Sequence, residues 1–562
     1  MARNLLKSSI KNATFNIIFQ ILFRVITFIT NAIVLRHISH DVVGIMNVRL
    51  LLLESTLLFL CREPFRRACL SDTSHHIWPR VINLIWISFP ICLLLSTLLG
   101  YVWLYILDVP GEDYANGYVI GVWAIILSCL CEIVCEPLYL AAQAFLYVRF
   151  KVMMDTVHVM VRTLVFSVMV LKNPANALLA FSLAQMLSTL VYSFGYFAFF
   201  GWKIHKQNSE TKKSLKKPED EPTSAWPEEF PFKTLLDFLP RKLENQPQVD
   251  AHLTELAWSF SKQGIWKQIL TEGERYLATV VSLLPFSHQG ALDVVSSLAA
   301  LPARLILRPL EDAAYFYFSQ VVKRGADARR RSQLERDWSV AEEEAAREAA
   351  EVLSLLLTMT SSMGLLALAL GPPNSALVLY VYGGKGLAES ELAPNLLRAH
   401  CLYLPLLAIN GVSEAYSFAA MSPPQLDEYN HVMALMSAVF LGVSYGLTYF
   451  FGAVGLVFAN CGNMLARITH SIIFIQSRYS TSKLNPLYSL IPGRKYITAL
   501  VLSAFLCYVS ENHLYGRNKI GHFAVSFCCL LISLVTLLLE QHQLLMFAVN
   551  KWREHKDKSK LQ

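Results

Sequence analysis

VINLIWISFPICLLLSTLLGYVWLYIL, residues 81–107, carries no charged residue between Arg80 and Asp108. Wound as an α-helix it would be about 40 Å long, more than the ~30 Å thickness of bilayer hydrocarbon. A soluble domain has nowhere to bury so long a run, whereas a lipid bilayer accepts it. Runs of this kind recur along the chain. Of its 562 residues, 54% are hydrophobic and 16% charged, against about 25% charged in soluble globular domains. Mean hydropathy is +0.41. This composition excludes disorder and an ordinary soluble enzyme. The length of the runs excludes an outer-membrane barrel, whose strands alternate over about ten residues. The sequence predicts an all-α polytopic membrane protein.

Apolar windows fall at 13–35, 41–61, 81–107, 118–140, 152–171, 176–201, 268–285, 290–320, 352–371, 395–421, 431–451, 453–475, 496–510 and 520–546. They predict about 14 transmembrane helices. The window at 268–285 is interrupted by Glu272, Glu274 and Arg275. Sidedness checks the count independently. With the N-terminus cytosolic, segments on that side hold 36 Lys+Arg and the opposite loops only 5. This asymmetry predicts both termini on the cytosolic side. The net charge of +7 then reports topology and is no argument for nucleic acid. The start, with Arg3, Lys7 and Lys11 ahead of an apolar run lacking a small-residue cleavage site, reads as an uncleaved first span.

Two hydrophilic insertions divide the array. Residues 203–262, with Lys212, Lys213, Lys216 and Lys217 followed by acidic and proline-rich sequence, read as a flexible cytosolic linker. Residues 323–351 run from basic to acidic and predict an amphipathic segment lying at the membrane surface. The expected organisation is an N-lobe over 1–202, the linker, a C-lobe over 263–476, two further helices in 477–550 and a cytosolic tail, 551–562. A faint duplication agrees with two lobes. SHDVVGIMN and REPFRRA, between Ser39 and Ala68, resemble SHQGALD and LRPLEDA, between Ser287 and Ala313, aligning Gly44 with Gly290 and Pro64 with Pro309.

Charges within the spans carry the functional reading. The eight basic residues placed there, Arg49, Arg304 and Arg467 among them, are all arginine. Guanidinium keeps its charge when desolvated and presents a fork that fits phosphate oxygens. An anionic, phosphate-bearing cargo in a hydrated interior is one reading; ion pairs that merely fix helix packing are the other. Glu311 and Asp312 after Pro309, together with Glu272 and Glu414, are candidate counter-charges that exchange arginine partners, or else static kink and packing contacts.

Other chemistries lack their motifs. No GxxxxGK[ST] or HExxH occurs. The eleven cysteines lie mostly in apolar runs without a CxxC pair and read as small buried hydrophobes. Cys131 and Cys135 share a helix face without a histidine at ligand spacing, so no metal is expected. Asp108, Glu112 and Asp113 imitate the acidic pair of a polyprenol-sugar glycosyltransferase, but their loop is short and no large domain follows. The sequon Asn12-Ala-Thr14 falls on the cytosolic side. Lys558 and Lys560 in the basic tail match a dilysine retrieval signal of the endoplasmic reticulum.

Five blocks together carry a family resemblance: REPFRRACLS (62–71), KQILTEGERY (267–276), DVVSSLAALPARLILRPLED (293–312), AINGVSEAYSFAAMS (408–422) and ANCGNMLARIT (459–469). In order and across most of the chain, they resemble the Rft family of endoplasmic-reticulum membrane proteins. Arg308 and Pro302 depart from the pattern of their block. The resemblance implies the multidrug, oligosaccharidyl-lipid and polysaccharide exporter fold, two six-helix lobes in a V plus two extra helices. It implies a non-enzymatic flippase that moves Man5GlcNAc2-PP-dolichol from the cytosolic to the lumenal leaflet for protein N-glycosylation, with membrane lipids as surroundings, no cofactor and no nucleic acid. A non-transporting accessory role in the same glycolipid pathway is the alternative. Arg62, Arg66, Arg275, Arg304 and Arg467 match the blocks, and Arg24 and Arg36 match by position; all of these but Arg66, together with Arg49, form the expected diphosphate-binding set.

Overall fold

A computed structural model describes Phe23 and residues 25–70, 76–145, 147–214, 230–280, 284–322, 340–479 and 485–540. Among these residues there is no β-strand. An apolar chain in lipid must satisfy its backbone polar groups within each segment, which helices do. The helices, in chain order, are α1 (Val25–Leu35), α2 (His40–Leu70), α3 (Trp78–Ile106), α4 (Glu112–Val134), α5 (Glu136–Ala144), α6 (Val148–Lys172), α7 (Ala177–Ser214) and α8 (Ala251–Val280). They continue with α9 (Phe286–Val321), α10 (Val340–Gly383), α11 (Leu392–Ala420), α12 (Pro423–Phe451), α13 (Ala453–Tyr479), α14 (Arg494–Ser510) and α15 (Lys519–Glu540). Among the described residues, 11 helices are long and apolar enough to cross a membrane. The chain is a multi-span helical membrane protein. α1, α8 and α13 are the helices under the other three expected windows; α1 is short in its described part, and polar residues dilute the other two.

The chain divides into two compact units, Met1–Gly290 and Ala291–Gln562. In the first, α2 is the centre. Its Leu50, Leu52, Leu53 and Leu57 are fully buried among Tyr118, Val122, Ile125 and Cys129 of α4. A π-helical stretch, Gly44–Leu50, opens α2. α8 also packs on α2, and its Tyr276 hydroxyl lies 2.6 Å from Thr56 Oγ1.

Two expectations change in detail. Within 203–262, α7 runs on to Ser214 and α8 begins at Ala251. Residues 230–250 between them are anchored: Phe230, Phe232 and Phe238 are buried with Tyr196 and Phe200 of α7, and Trp86 Nε1 donates to the Phe238 carbonyl at 2.8 Å. Asn83 Nδ2 donates to the carbonyls of Arg241 and Gln248, and Asn83 Oδ1 accepts from Arg241 N. Three aromatic anchors outweigh the proline-rich composition that suggested a flexible linker. Within 323–351, residues 340–351 are the first turns of α10 and continue unbroken into its apolar part. Ala, Glu and Arg are strong helix formers, and Ala349, Ala350 and Leu353 bury against Phe318 and Tyr416. They do not form a separate surface segment. Residues 323–339 lie outside the described residues.

The second unit is centred on α11, packed between α10 and α13, with α9 beside it. α12 starts at a capping box of Ser422 and Gln425. It ends at Gly452, whose φ of +61° turns the chain into α13. In α9 a π-helical turn, Ala303–Leu307, precedes Pro309. A proline lacks the N–H and crowds the carbonyl four residues back, and a widened turn accommodates both. α14 leans on α10 through Tyr496 Oη to the Ser362 carbonyl (2.9 Å), and the turn between α14 and α15 does so through Tyr515 Oη to the Ala376 carbonyl (3.2 Å). Nine of the eleven cysteines are buried and none is in a disulfide.

Candidate functional site

In the first unit the intramembrane charges meet as a ladder. Arg62 and Arg66 stand one helical turn apart on α2, and Glu132 and Glu136 one turn apart at the α4–α5 junction. Arg62 Nη1 donates to Glu132 Oε2 at 2.7 Å and lies 3.8 Å from Glu136 Oε1. Arg66 grips Glu136 with two bonds, Nε to Oε2 at 2.7 Å and Nη2 to Oε1 at 2.5 Å. Its guanidinium also lies 3.5 Å from the centre of the Tyr139 ring. Both pairs are separated by 70 residues in sequence, so the two segments run in the same direction where they touch.

A second node lies further along α2. Arg162 Nη1 of α6 is 3.5 Å from Glu54 Oε2 and donates to Gln185 Oε1 at 3.1 Å. Gln185 Nε2 donates to Glu54 Oε1 at 3.0 Å and to Ser128 Oγ at 3.2 Å. Three guanidiniums therefore face three carboxylates, bridged by an amide. Such a network holds four helices in register, because breaking any one pair leaves a desolvated charge.

The second unit is built differently. Glu414 on α11 accepts from Arg467 Nη2 of α13 at 2.6 and 2.8 Å. It also accepts from Tyr429 Oη of α12 at 2.5 Å and from Asn410 Nδ2 at 2.9 Å. Glu311 of α9 stands over Gly411. Half-buried, it makes no ion pair or side-chain hydrogen bond among the described residues. Arg304, Arg308 and Asp312 are exposed on α9 and make no ion pair among the described residues. An uncompensated guanidinium on a spanning helix belongs in water or beside an anion rather than in hydrocarbon.

The remaining expected residues are dispersed. Arg36 is exposed just beyond α1. Arg49, within the π-helical stretch of α2, is 1% exposed. Arg275 pairs with Glu272 one turn away on α8 at 3.2 Å. Arg24, Lys558 and Lys560 lie outside the described residues. Arg66, Glu132, Glu136, Arg162 and Gln185, and the Tyr429 and Asn410 partners of Glu414, were absent from the expected set. The i, i+4 spacing in both Arg62/Arg66 and Glu132/Glu136 was a readable signal for the ladder; nothing in the sequence pointed to Tyr429.

The Rft protein family model matches residues 8–551. The chain belongs to the Rft family. The Man(5)GlcNAc(2)-PP-dolichol translocation protein RFT1 of Xenopus tropicalis is 40% identical over 550 residues, 97% of each chain. The protein of that name from Drosophila melanogaster is 40% identical over 522 residues, covering 90% of this chain and 92% of its own. That from Mus musculus is 38% identical over 526 residues, 93% of this chain and 92% of its own. Among solved structures, lipid II flippase MurJ in an inward closed conformation aligns with a TM-score of 0.55 at 11% identity, covering 95% of this chain and all of its own. An inward-facing MATE-family transporter aligns at 0.51 and 12% identity, covering 81% of this chain and 95% of its own. The Rft chain thus shares the fold of these two transporters.

Proposed function

We propose that this Rft-family chain is a flippase that carries Man5GlcNAc2-PP-dolichol from the cytosolic to the lumenal leaflet of the endoplasmic reticulum, for assembly of the oligosaccharide used in protein N-glycosylation. The observation that carries this reading is 38–40% identity, over nine-tenths or more of the chain, to proteins named for that translocation. The intramembrane arginines supply the chemistry. A diphosphate is a desolvated polyanion in the membrane and needs guanidinium forks. Arg304, exposed on α9 and without an ion pair among the described residues, is the first contact. Arg467 is released to the diphosphate from Glu414, and Glu311 and Glu414 restrain it again once the cargo has gone. Cargo and carboxylate competing for one arginine make the ligand bind two conformations unequally, as alternating access requires. Arg36 and Arg275 extend the basic lining, and Asp312 and Glu272 are further counter-charges. The sugars travel in water while the dolichyl chain stays in lipid. No bond is made or broken, so the chain acts without a catalytic residue, a cofactor or a nucleic-acid partner. Both termini are cytosolic, as the loop charges favour, and Lys558 and Lys560 return the protein to the endoplasmic reticulum.

The test is transfer of labelled Man5GlcNAc2-PP-dolichol between leaflets of liposomes containing the purified protein. Transfer faster than in empty liposomes, and reduced in Arg304→Ala and Arg467→Ala, is expected. No acceleration by folded protein, with a working positive control, would leave an accessory role in the same pathway.

A further inference from the structure

Arg49 is buried, 1% exposed, and among the described residues no carboxylate lies within ion-pair distance of it. Its side chain is enclosed, and neither Nε nor Nη1 has a hydrogen-bond partner. The Phe286 ring covers it, with the guanidinium carbon 5.2 Å from the ring centre. Trp103 closes another side, its Nε1 donating to the Arg49 carbonyl at 3.0 Å. A ring face attracts a guanidinium weakly and does not replace lost hydration. The arrangement is one that an entering anion would relieve.

The cover is seated by an unusual crossing. A Cβ on Gly44 would overlap the carbonyl oxygen of Phe286 and lie 3.1 Å from Gly290 N; a Cβ on Gly290 would overlap the carbonyl oxygen of His40 and lie 2.8 Å from Gly44 N. Each glycine meets the carbonyl four residues before the other glycine. These are the two glycines aligned by the internal duplication. At the crossing itself backbone packs on backbone, a close contact that only glycine permits.

We propose that Arg49 is a diphosphate ligand held beneath Phe286 and uncovered when the Gly44–Gly290 crossing parts. The cargo's identity rests on the translocation reading above; the covering of Arg49 does not. Phe286 then lowers affinity for the anion by keeping the competent state scarce, and diphosphate binding draws the crossing apart.

The test uses the detergent-purified full chain and a short-chain polyprenyl diphosphate as probe. Phe286→Ala removes the cover and should tighten binding roughly ten-fold; Gly44→Ala wedges the crossing and should do likewise. Adding Arg49→Met to either variant should abolish the gain, and Arg49→Lys should keep part of it. Arg49→Met alone should melt no lower than wild type, since an unpartnered buried cation is not what holds the fold. Unchanged binding in Phe286→Ala, a gain that survives Arg49→Met, or a large drop in melting temperature in Arg49→Met would each overturn the proposal. Translocation measured on the same preparations separates the two readings. An Arg49-dependent gain without translocation keeps the covered ligand and removes the flippase; translocation without that gain does the reverse.

Discussion

Arg49 apart, the two units treat their intramembrane arginines in opposite ways. In the first, Arg62, Arg66 and Arg162 are matched one for one with Glu132, Glu136 and Glu54, and the match is closed by Gln185. In the second, one arginine, Arg467, is held by Glu414 while Glu311 stands unpaired nearby and Arg304 and Arg308 are exposed. A balanced network resists rupture, because breaking any one pair strands a desolvated charge. A network with spare groups of both signs has alternative pairings close in energy. The contrast teaches that counting arginines in a membrane says little about cargo until each one's partner is known.

The contrast breaks most sharply when single partners are removed. Glu136→Ala leaves Arg66 buried without its bidentate acceptor and should lower stability by about 3–5 kcal/mol, read as a large fall in melting temperature in detergent. The corresponding cut in the second unit, Glu414→Ala, should cost less, about 1–3 kcal/mol, because the Glu311 carboxylate, which interacts electrostatically with Arg467, remains as an alternative counter-charge. Combining it with Glu311→Ala should bring the loss up to that of Glu136→Ala; simple additivity of two small effects would contradict the spare-partner account. Gly411→Ala sharpens the same point on a smaller scale. A Cβ there would stand 3.1 Å from Glu311 Oε2, so the carboxylate must shift, with about 1 kcal/mol of destabilisation expected and a slower translocation rate in liposomes. The smallest effect expected is at the rim of the first unit. Asn83→Ala removes the three hydrogen bonds that hold Arg241 and Gln248; it should cost about 1 kcal/mol and speed proteolysis within 239–250, with the ladder undisturbed.

Much of the fold was legible because a spanning helix announces itself by length and apolarity, and each of the 11 helices long and apolar enough to span among the described residues overlaps an expected window. Legibility failed where helix and apolarity part company. α8 starts at Ala251 rather than near residue 268, and α10 starts at Val340 rather than near 352; in both, polar helix formers extend the helix outside the apolar window. The packing of residues 230–250 was hidden because Phe230, Phe232 and Phe238 are scattered among polar residues and prolines, and only their convergence on α7 shows what they do. For the site, residue types were readable and pairings were not. Arginine in a span is visible in one dimension; that Arg62 is engaged, Arg304 exposed and Arg49 covered depends on helices distant in sequence.

The most direct test sets one change from each unit against the other in the liposome assay: Arg304→Ala beside the double replacement Arg62→Met with Glu132→Met, both confirmed folded by thermal unfolding. The account predicts that Arg304→Ala slows transfer of Man5GlcNAc2-PP-dolichol by roughly ten-fold or more. The paired replacement, which removes a charge couple together and leaves neither member orphaned, should keep a rate near wild type. Normal transfer in Arg304→Ala together with loss in the paired replacement would contradict it.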